Sequence, residues 1–113
     1  MAIDTAHFAK ILRARLADLD ALSKLSEEGR AVVQLDQQSV GRLSRMDAMQ
    51  AQSMALATEE RRQAERARVA AALRRIESGD YGYCLNCDEE IDVRRLDIDP
   101  AAPLCLDCAR AKT

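Results

Sequence analysis

Four cysteines near the carboxyl end of the sequence form two pairs with the same internal spacing. Cys84 and Cys87 make the first pair, and Cys105 and Cys108 make the second after 17 intervening residues. Two residues between paired cysteines allow a tight turn that brings both sulfurs to one side. Two such pairs complete the tetrahedron of thiolates that a structural Zn²⁺ prefers. The spacing therefore predicts one structural zinc ion with these four cysteines as its ligands.

Iron in place of zinc and a pair of redox disulfides are the other interpretations of these cysteines. A thiol oxidoreductase needs one exposed C-x-x-C of lowered pKa beside a βαβ unit, and the sequence predicts no such unit. Four thiolates also leave no open position on zinc for water or substrate. The single histidine, His7, is expected on the surface, and the sequence has no nucleophile elbow or phosphate-binding loop. We therefore expect that the protein is not an enzyme.

The first 78 residues have the composition of long helices. They contain no proline, only two glycines (Gly29 and Gly41) and most of the 20 alanines of the chain. Alanine favours helix because it loses no side-chain rotamer freedom there. Large apolar residues recur three or four apart over about residues 4–28, which predicts a first helix with a narrow apolar stripe: Phe8, Leu12, Leu16, Leu19, Leu22 and Leu25.

A second helix is predicted to begin between residues 39 and 43 and to end at Ser78. Its larger apolar residues are Leu43, Met46, Met49, Leu56, Val69, Leu73 and Ile76. Two narrow stripes of this kind can bury each other but cannot surround a core, so they predict an antiparallel helical hairpin with coiled-coil packing. The charged run over residues 59–68 is expected to be a solvated face with i,i+4 pairs, the alternative being a partner-facing patch of Arg61, Arg62, Arg66 and Arg68.

The predicted fold class is therefore mostly α, with an antiparallel helical hairpin (coiled coil) and a small C4 zinc-finger module. Residues 1–78 form the hairpin, with its tip around residues 30–42 between the two glycines, and residues 79–113 form the module. A domain of 113 residues with only three aromatic side chains has little material for a large core. The zinc ion then supplies the additional stabilisation.

Charge restricts the partners of each part. Residues 79–113 carry eight acidic and four basic residues, a net charge of −4, whereas residues 1–78 carry 13 basic and 11 acidic residues. The negative net charge of the zinc module repels phosphate groups, so we expect no direct nucleic-acid binding. No apolar run reaches the roughly 18 residues of a membrane span, and the start of the chain does not have the pattern of a signal peptide. We expect a cytoplasmic protein without a membrane partner.

The carboxyl-terminal third resembles the DksA/TraR family of C4-type zinc-finger proteins residue by residue, and the predicted hairpin agrees with that family in architecture. The matching positions are Gly79-Asp80-Tyr81-Gly82-Tyr83-Cys84, Cys87, Ile91, Arg94-Arg95-Leu96, Pro100, Leu104-Cys105 and Cys108. The resemblance implies a transcription regulator that binds bacterial RNA polymerase, places its coiled coil in the secondary channel and modulates transcription initiation. A zinc-stapled interaction module with another protein or nucleic-acid partner is the alternative.

The resemblance also implies a polymerase-binding tip and a site for guanosine tetraphosphate, and the sequence departs from the family at both. The acidic tip pattern D-x-x-D-x-A falls on Gly41, Ser44 and Met46. Asp99 stands where the family has a phosphate-binding arginine, and Ala109 where it has a lysine, so we expect the nucleotide site to be lost. The candidate partner-binding residues are Asp36, Ser39, Arg42 and Asp47 near the tip, and Arg94 and Arg95 in the finger.

Overall fold

The computed structural model describes residues 3–27, Arg30 and residues 42–111, with the backbone alone for residues 42–44. This part of the chain contains four helices: α1 (Thr5–Leu25), α2 (Arg42–Ser78), α3 (Val93–Ile98) and α4 (Leu106–Ala111). The molecule measures 66 × 30 × 20 Å. None of the described helices is long and apolar enough to cross a membrane.

Helices α1 and α2 form the predicted antiparallel hairpin, since Arg15 contacts Glu65 while Ser23, further along α1, contacts Glu59. Asp4 caps α1 by accepting a 3.1 Å hydrogen bond from the backbone N–H of His7. Helix α1 ends at Leu25, earlier than the predicted residue 28, because the backbone leaves the helical conformation at the capping residue Ser26, where φ is −94° and ψ is 6°. The predicted tip lies almost wholly outside the described residues.

The core lies where the hairpin meets the finger. Phe8, Leu12 and Leu19 of α1 pack with Val69 and Ala72 of α2, and all five are buried. The same cluster continues into the finger through buried residues that follow α2: Tyr81, Cys84, Ile91, Leu96, Ala101 and Ala102. The hairpin and the finger therefore share one core, which runs continuously past the end of α2.

Two aromatic rings join the hairpin to the finger. The ring centroids of Phe8 and Tyr81 are 5.7 Å apart. The Tyr81 hydroxyl donates a 2.8 Å hydrogen bond to the carbonyl of Pro100, and burial raises the pKa of this phenol to about 12. At the other side of the joint, Ile3 lies so close to Gly82, where φ is +93°, that a Cβ there would clash with the Ile3 side chain. These contacts fix the base of the hairpin on the finger.

The apolar seam of the hairpin is shorter than the sequence predicts. Leu22 is 42% exposed and Leu25 is 82% exposed, whereas both were expected to be buried against α2. On α2 the predicted seam residues Met46, Met49 and Leu56 are also exposed. Beyond Leu19, a carboxylate on α2 contacts α1 in place of an apolar side chain.

That carboxylate belongs to Glu59, of which only 8% is exposed. It accepts a 2.6 Å hydrogen bond from the Ser23 hydroxyl and lies 3.5 Å from the guanidinium of Arg30 and 3.7 Å from that of Arg62. Arg62 also donates to the Ser26 hydroxyl at 2.9 Å. A polar network thus replaces apolar packing in this part of the seam, and every charge in it faces an opposite charge or a hydroxyl.

Other members of the charged run also reach across the hairpin, so the expectation of a merely solvated face with i,i+4 pairs is wrong for them. Glu65 takes two 2.8 Å hydrogen bonds from the guanidinium of Arg15, and Arg66 pairs with Asp20 at 2.6 Å. Since these partners lie on the facing helix, the pairs depend on the register of α1 against α2. Sequence spacing within α2 cannot reveal them.

Replacing Glu59 by glutamine is expected to lower the melting temperature of the protein at neutral pH. The Ser23 hydrogen bond first, and then Gln63, Arg30 and Arg62, lower the pKa of the Glu59 carboxyl against the opposing effect of burial. A lowered folded-state pKa contributes stability above the unfolded value of about 4.3, and this stability is lost as the pH falls through the folded-state value. The difference between native protein and variant should therefore shrink on acidification.

The neighbouring Glu60, which is exposed, supplies the matched control. Glu60→Gln should leave the melting temperature close to that of the native protein across the same pH series. A Glu59→Gln protein as stable as the native one at neutral pH, or a deficit that stays constant into acid, would show that the carboxylate does not stabilise the hairpin.

Candidate metal centre

The first cysteine pair lies in a tight reversal of the chain. Tyr83 and Glu90 form an isolated antiparallel bridge, and the N–H of Cys84 donates to the carbonyl of Glu89 at 2.8 Å. Within the turn, Asp88 adopts a φ of +62°, a conformation that few residues other than glycine accept. The reversal directs the sulfurs of Cys84 and Cys87 to one side, as the spacing predicts.

The second pair lies at the start of α4 and is tied to the first by backbone hydrogen bonds. The N–H of Leu85 donates to the carbonyl of Pro103 at 2.9 Å. Arg95 of α3 donates from Nε to the carbonyl of Leu104 at 2.9 Å, just before Cys105. Cys108 follows on the first turn of α4, where the N–H of Ala109 bonds the Cys105 carbonyl at 2.9 Å. The two backbone segments that carry the cysteine pairs are thus held against each other.

The four sulfurs have the spacing of a tetrahedral thiolate site. All four Sγ atoms lie within 4.8 Å of one another, and those of Cys87 and Cys105 are 3.8 Å apart. A zinc ion bound to sulfur at about 2.3 Å in a tetrahedron separates its ligands by about 3.8 Å. All four cysteines are free thiols, so the paired-disulfide interpretation finds no support in this geometry. The residues fit one structural Zn²⁺.

The thiols influence one another strongly because they are so close. Burial opposes ionisation of Cys84, but backbone N–H groups of Cys105, Cys87 and Asn86 lower the pKa of its thiol to about 6. For Cys87, the N–H of Glu89 favours the thiolate, yet burial and the three neighbouring sulfurs raise its pKa to about 12. Backbone N–H groups thus favour the thiolate of Cys84, whereas burial and the neighbouring sulfurs give Cys87 a resistance to ionisation. A divalent cation removes this resistance, since its charge stabilises all four thiolates.

Asn86 supports the centre and was missed by the sequence analysis. Its backbone N–H lies 3.4 Å from the Cys84 sulfur, and its side-chain amide donates to the Cys108 sulfur at 3.3 Å. Hydrogen bonds of this kind orient ligands and stabilise thiolate charge. The signal available in the sequence was the donor side chain between Cys84 and Cys87, but only the fold shows that it reaches a sulfur of the second cysteine pair.

The candidate partner-binding residues that the structure describes lie on α2 and in the finger. Asp36 and Ser39 lie outside the described residues, and for Arg42 only the backbone, at the start of α2, is described. Asp47 is exposed one turn further along α2. In the finger, Arg94 is highly exposed and pairs with Asp92 at 2.8 Å, an interaction that holds the pKa of the Asp92 carboxyl at about 2.

Arg95, the sixth candidate, is only partly exposed because its guanidinium turns inward to the carbonyl of Leu104. It helps to close the finger. The structure thus brings the four metal ligands together, and of the fully described candidates it places Asp47 on α2 and Arg94 and Arg95 on α3.

Comparison with known proteins identifies this arrangement. A family model described as the prokaryotic dksA/traR C4-type zinc finger matches residues 79–113. The fold is similar to that of the transcription factor DksA2 from Pseudomonas aeruginosa, with a TM-score of 0.73 over 96% of this chain and 81% of that chain at 24% identity. Residues 79–113 are thus a dksA/traR C4-type zinc finger, and the chain shares the fold of DksA2. The predicted fold class is confirmed, and the finger with its four close cysteines fits the predicted single structural zinc.

Curated relatives align over about a third of this chain. The RNA polymerase-binding transcription factor DksA of Haemophilus influenzae is 46% identical over 41 residues, which are 36% of this chain and 28% of that protein. The protein of the same name from Escherichia coli K12 is 50% identical over 36 residues, or 32% of this chain and 24% of that protein. The alignments thus span about a quarter of the length of these DksA proteins.

Proposed function

We propose that this DksA-like protein binds bacterial RNA polymerase through the secondary channel and modulates transcription initiation in the cytoplasm. The observation that carries the proposal is a DksA/TraR-type finger mounted at the base of a long helical hairpin. The relatives of that finger are named RNA polymerase-binding transcription factors. The likeness to DksA2 extends the shared fold over the hairpin as well.

The shape of the molecule suits insertion into a channel. Helix α2 has 37 residues and is therefore about 55 Å long at 1.5 Å per residue. The molecule is 66 Å long but only 30 × 20 Å across. The hairpin would enter the channel with the segment around residues 30–42 leading. The residues lying deepest in the channel would then be Asp36, Ser39, Arg42 and Asp47. The channel entrance would be contacted by Arg94, and Arg95 would contribute there through the shape it gives the finger.

The charge pairing of the hairpin supports a protein partner over a nucleic acid. Three arginines of the charged run already face partners within the molecule: Arg62 near Glu59, Arg66 with Asp20 and Arg68 with Asp99. Binding to phosphates would have to break these interactions. A salt-sensitive gel shift with DNA or RNA would instead favour the alternative of a zinc-stapled module with a nucleic-acid partner.

Guanosine tetraphosphate is not expected to contribute to binding. The carboxylate of Asp99, which stands where the family has a phosphate-binding arginine, lies 2.8 Å from the guanidinium of Arg68 on α2. The aspartate both occupies this arginine and repels phosphate. Calorimetric titration of the nucleotide into a complex of this protein with polymerase should give no tight binding at this site. Tight binding that an Arg68→Ala substitution abolishes would contradict the expectation.

Site-specific crosslinking tests how the hairpin is placed. A photoreactive residue at position 47, near the tip, should crosslink to polymerase segments lining the secondary channel. The same residue at position 77, exposed near the finger, is the matched control and should reach only the channel entrance. Crosslinks from position 47 to the outer surface of polymerase, or equivalent crosslinks from both positions, would contradict insertion of the hairpin.

A further inference from the structure

Three of the four methionines of the chain lie close together in the first half of α2, the half nearer the predicted tip. They are Met46, Met49 and Met54, and their exposed fractions are 56%, 58% and 65%. Methionine is a flexible apolar side chain with a polarizable thioether sulfur. Among the described residues, neither the zinc site nor the polar network around Glu59 includes a methionine side chain.

The packing of α2 does not depend on these thioethers. Among residues 45–55, the less exposed positions are spaced three or four apart and lead on to the buried Glu59: Arg45, Ala48, Gln52 and Ala55. This spacing places them on the side of α2 that continues the seam of the hairpin. The three methionines lie off that side, so a change in their polarity does not disturb the interior of the hairpin.

An exposed thioether reacts with peroxides by taking up one oxygen atom. An S–O bond forms while the O–O bond of hydrogen peroxide breaks. The sulfur is oxidised by two electrons, the peroxide is reduced, and its second oxygen leaves with both hydrogens as water. The product, methionine sulfoxide, is polar, and sulfoxide reductases convert it back to methionine. Three neighbouring sites of this kind allow an apolar surface to become polar reversibly.

We propose that Met46, Met49 and Met54 form an oxidation site for hydrogen peroxide and related oxygen-donating oxidants, and that their oxidation weakens binding to polymerase. The effect on binding rests on the proposed function, in which this half of α2 enters the secondary channel. Asp47, a candidate partner-binding residue, lies between Met46 and Met49, so the sulfoxides form within the surface that polymerase covers. A polar sulfoxide loses the apolar contribution of the buried methionine to such an interface.

Peptide mapping by mass spectrometry tests the oxidation site on the full-length, zinc-loaded protein treated with hydrogen peroxide. Each of the three methionines should gain one oxygen atom, while the zinc content and the helical circular dichroism stay at the values of the untreated protein. Resistance of these methionines to peroxide, release of zinc before they are oxidised, or loss of the helical signal on their oxidation would overturn the oxidation site.

Binding to purified polymerase, measured before and after peroxide treatment, tests the consequence. The affinity of the native protein should fall about tenfold or more and should recover after treatment with sulfoxide reductases for both sulfoxide epimers. A variant that combines Met46→Leu, Met49→Leu and Met54→Leu is the matched control, because leucine keeps an apolar side chain of similar volume without the sulfur. The ratio of its affinities before and after peroxide should stay close to one.

The outcomes separate this inference from the proposed function. Unchanged affinity of the oxidised native protein, or an equal loss of affinity in the leucine variant, would overturn control by the methionines while polymerase binding itself stands. Untreated protein that fails to bind polymerase would overturn the proposed function together with the effect on binding. The peptide map would then decide the oxidation site by itself.

Discussion

Replacing Cys105 by serine is expected to unfold the finger while much of the hairpin helix remains. The substitution removes one of four thiolates, and structural zinc sites contribute apparent binding free energies of about 10–16 kcal/mol at neutral pH. Apart from the core that it shares with the hairpin, the finger has only α3 and α4, of six residues each, to hold it. Removal of zinc from the native protein by a strong chelator should have the same effect, because no ion then links the two cysteine pairs.

The measurement combines zinc content, helical circular dichroism and amide NMR. We expect loss of dispersed signals from residues 79–111 with retention of a substantial part of the helical signal. Leu85→Ser is the matched control, since Leu85 lies between two ligands but is 60% exposed. It should keep zinc and the folded finger. A Cys105→Ser protein, or a metal-free native protein, with an intact finger would refute a structural role for the ion.

Truncating Phe8 to alanine is expected to cost about 3–5 kcal/mol of unfolding free energy, as is typical for a buried aromatic residue. Phe8 is 3% exposed and packs on Tyr81, so its ring bridges α1 and the finger. Its loss leaves a cavity in the part of the core that the hairpin and the finger share. We therefore expect both to lose stability together, although the substitution lies on the hairpin alone.

Urea denaturation followed at tyrosine and helix signals checks this expectation. Leu25→Ala provides the control, because this leucine belongs to the same stripe in the sequence but is 82% exposed in the fold. It should change the free energy of unfolding only slightly. A Phe8→Ala protein that loses less than about 1 kcal/mol, or one in which the finger keeps its native stability, would contradict a shared core.

The sequence predicts the metal centre well because its decisive information is local. Two C-x-x-C pairs define the ligands by their own spacing. The contact of Asn86, from the first cysteine pair to the Cys108 sulfur of the second, could be found only from the fold. The hairpin could be predicted equally well, since alanine and periodic leucines favour long helices. The extent of its apolar seam could not be predicted, because apolar periodicity alone does not show where the facing helix supplies a carboxylate such as Glu59.

Contacts between distant residues explain the remaining differences. Arg68 and Asp99 are separated by 31 residues, and the sequence alone suggests unrelated roles for them, Arg68 in a candidate partner-facing patch and Asp99 as an acid that repels phosphate. In the structure they form one ion pair between α2 and the finger.

Direct binding to purified bacterial core RNA polymerase tests the central proposal most directly. Fluorescently labelled, zinc-loaded protein should bind saturably at micromolar concentrations or below, and an unlabelled protein that occupies the secondary channel should displace it. The Cys105→Ser protein should bind much more weakly, since its hairpin has lost the folded base on which it is mounted. Absence of saturable binding at micromolar concentrations, or binding that a secondary-channel competitor leaves unchanged, would contradict the proposed function.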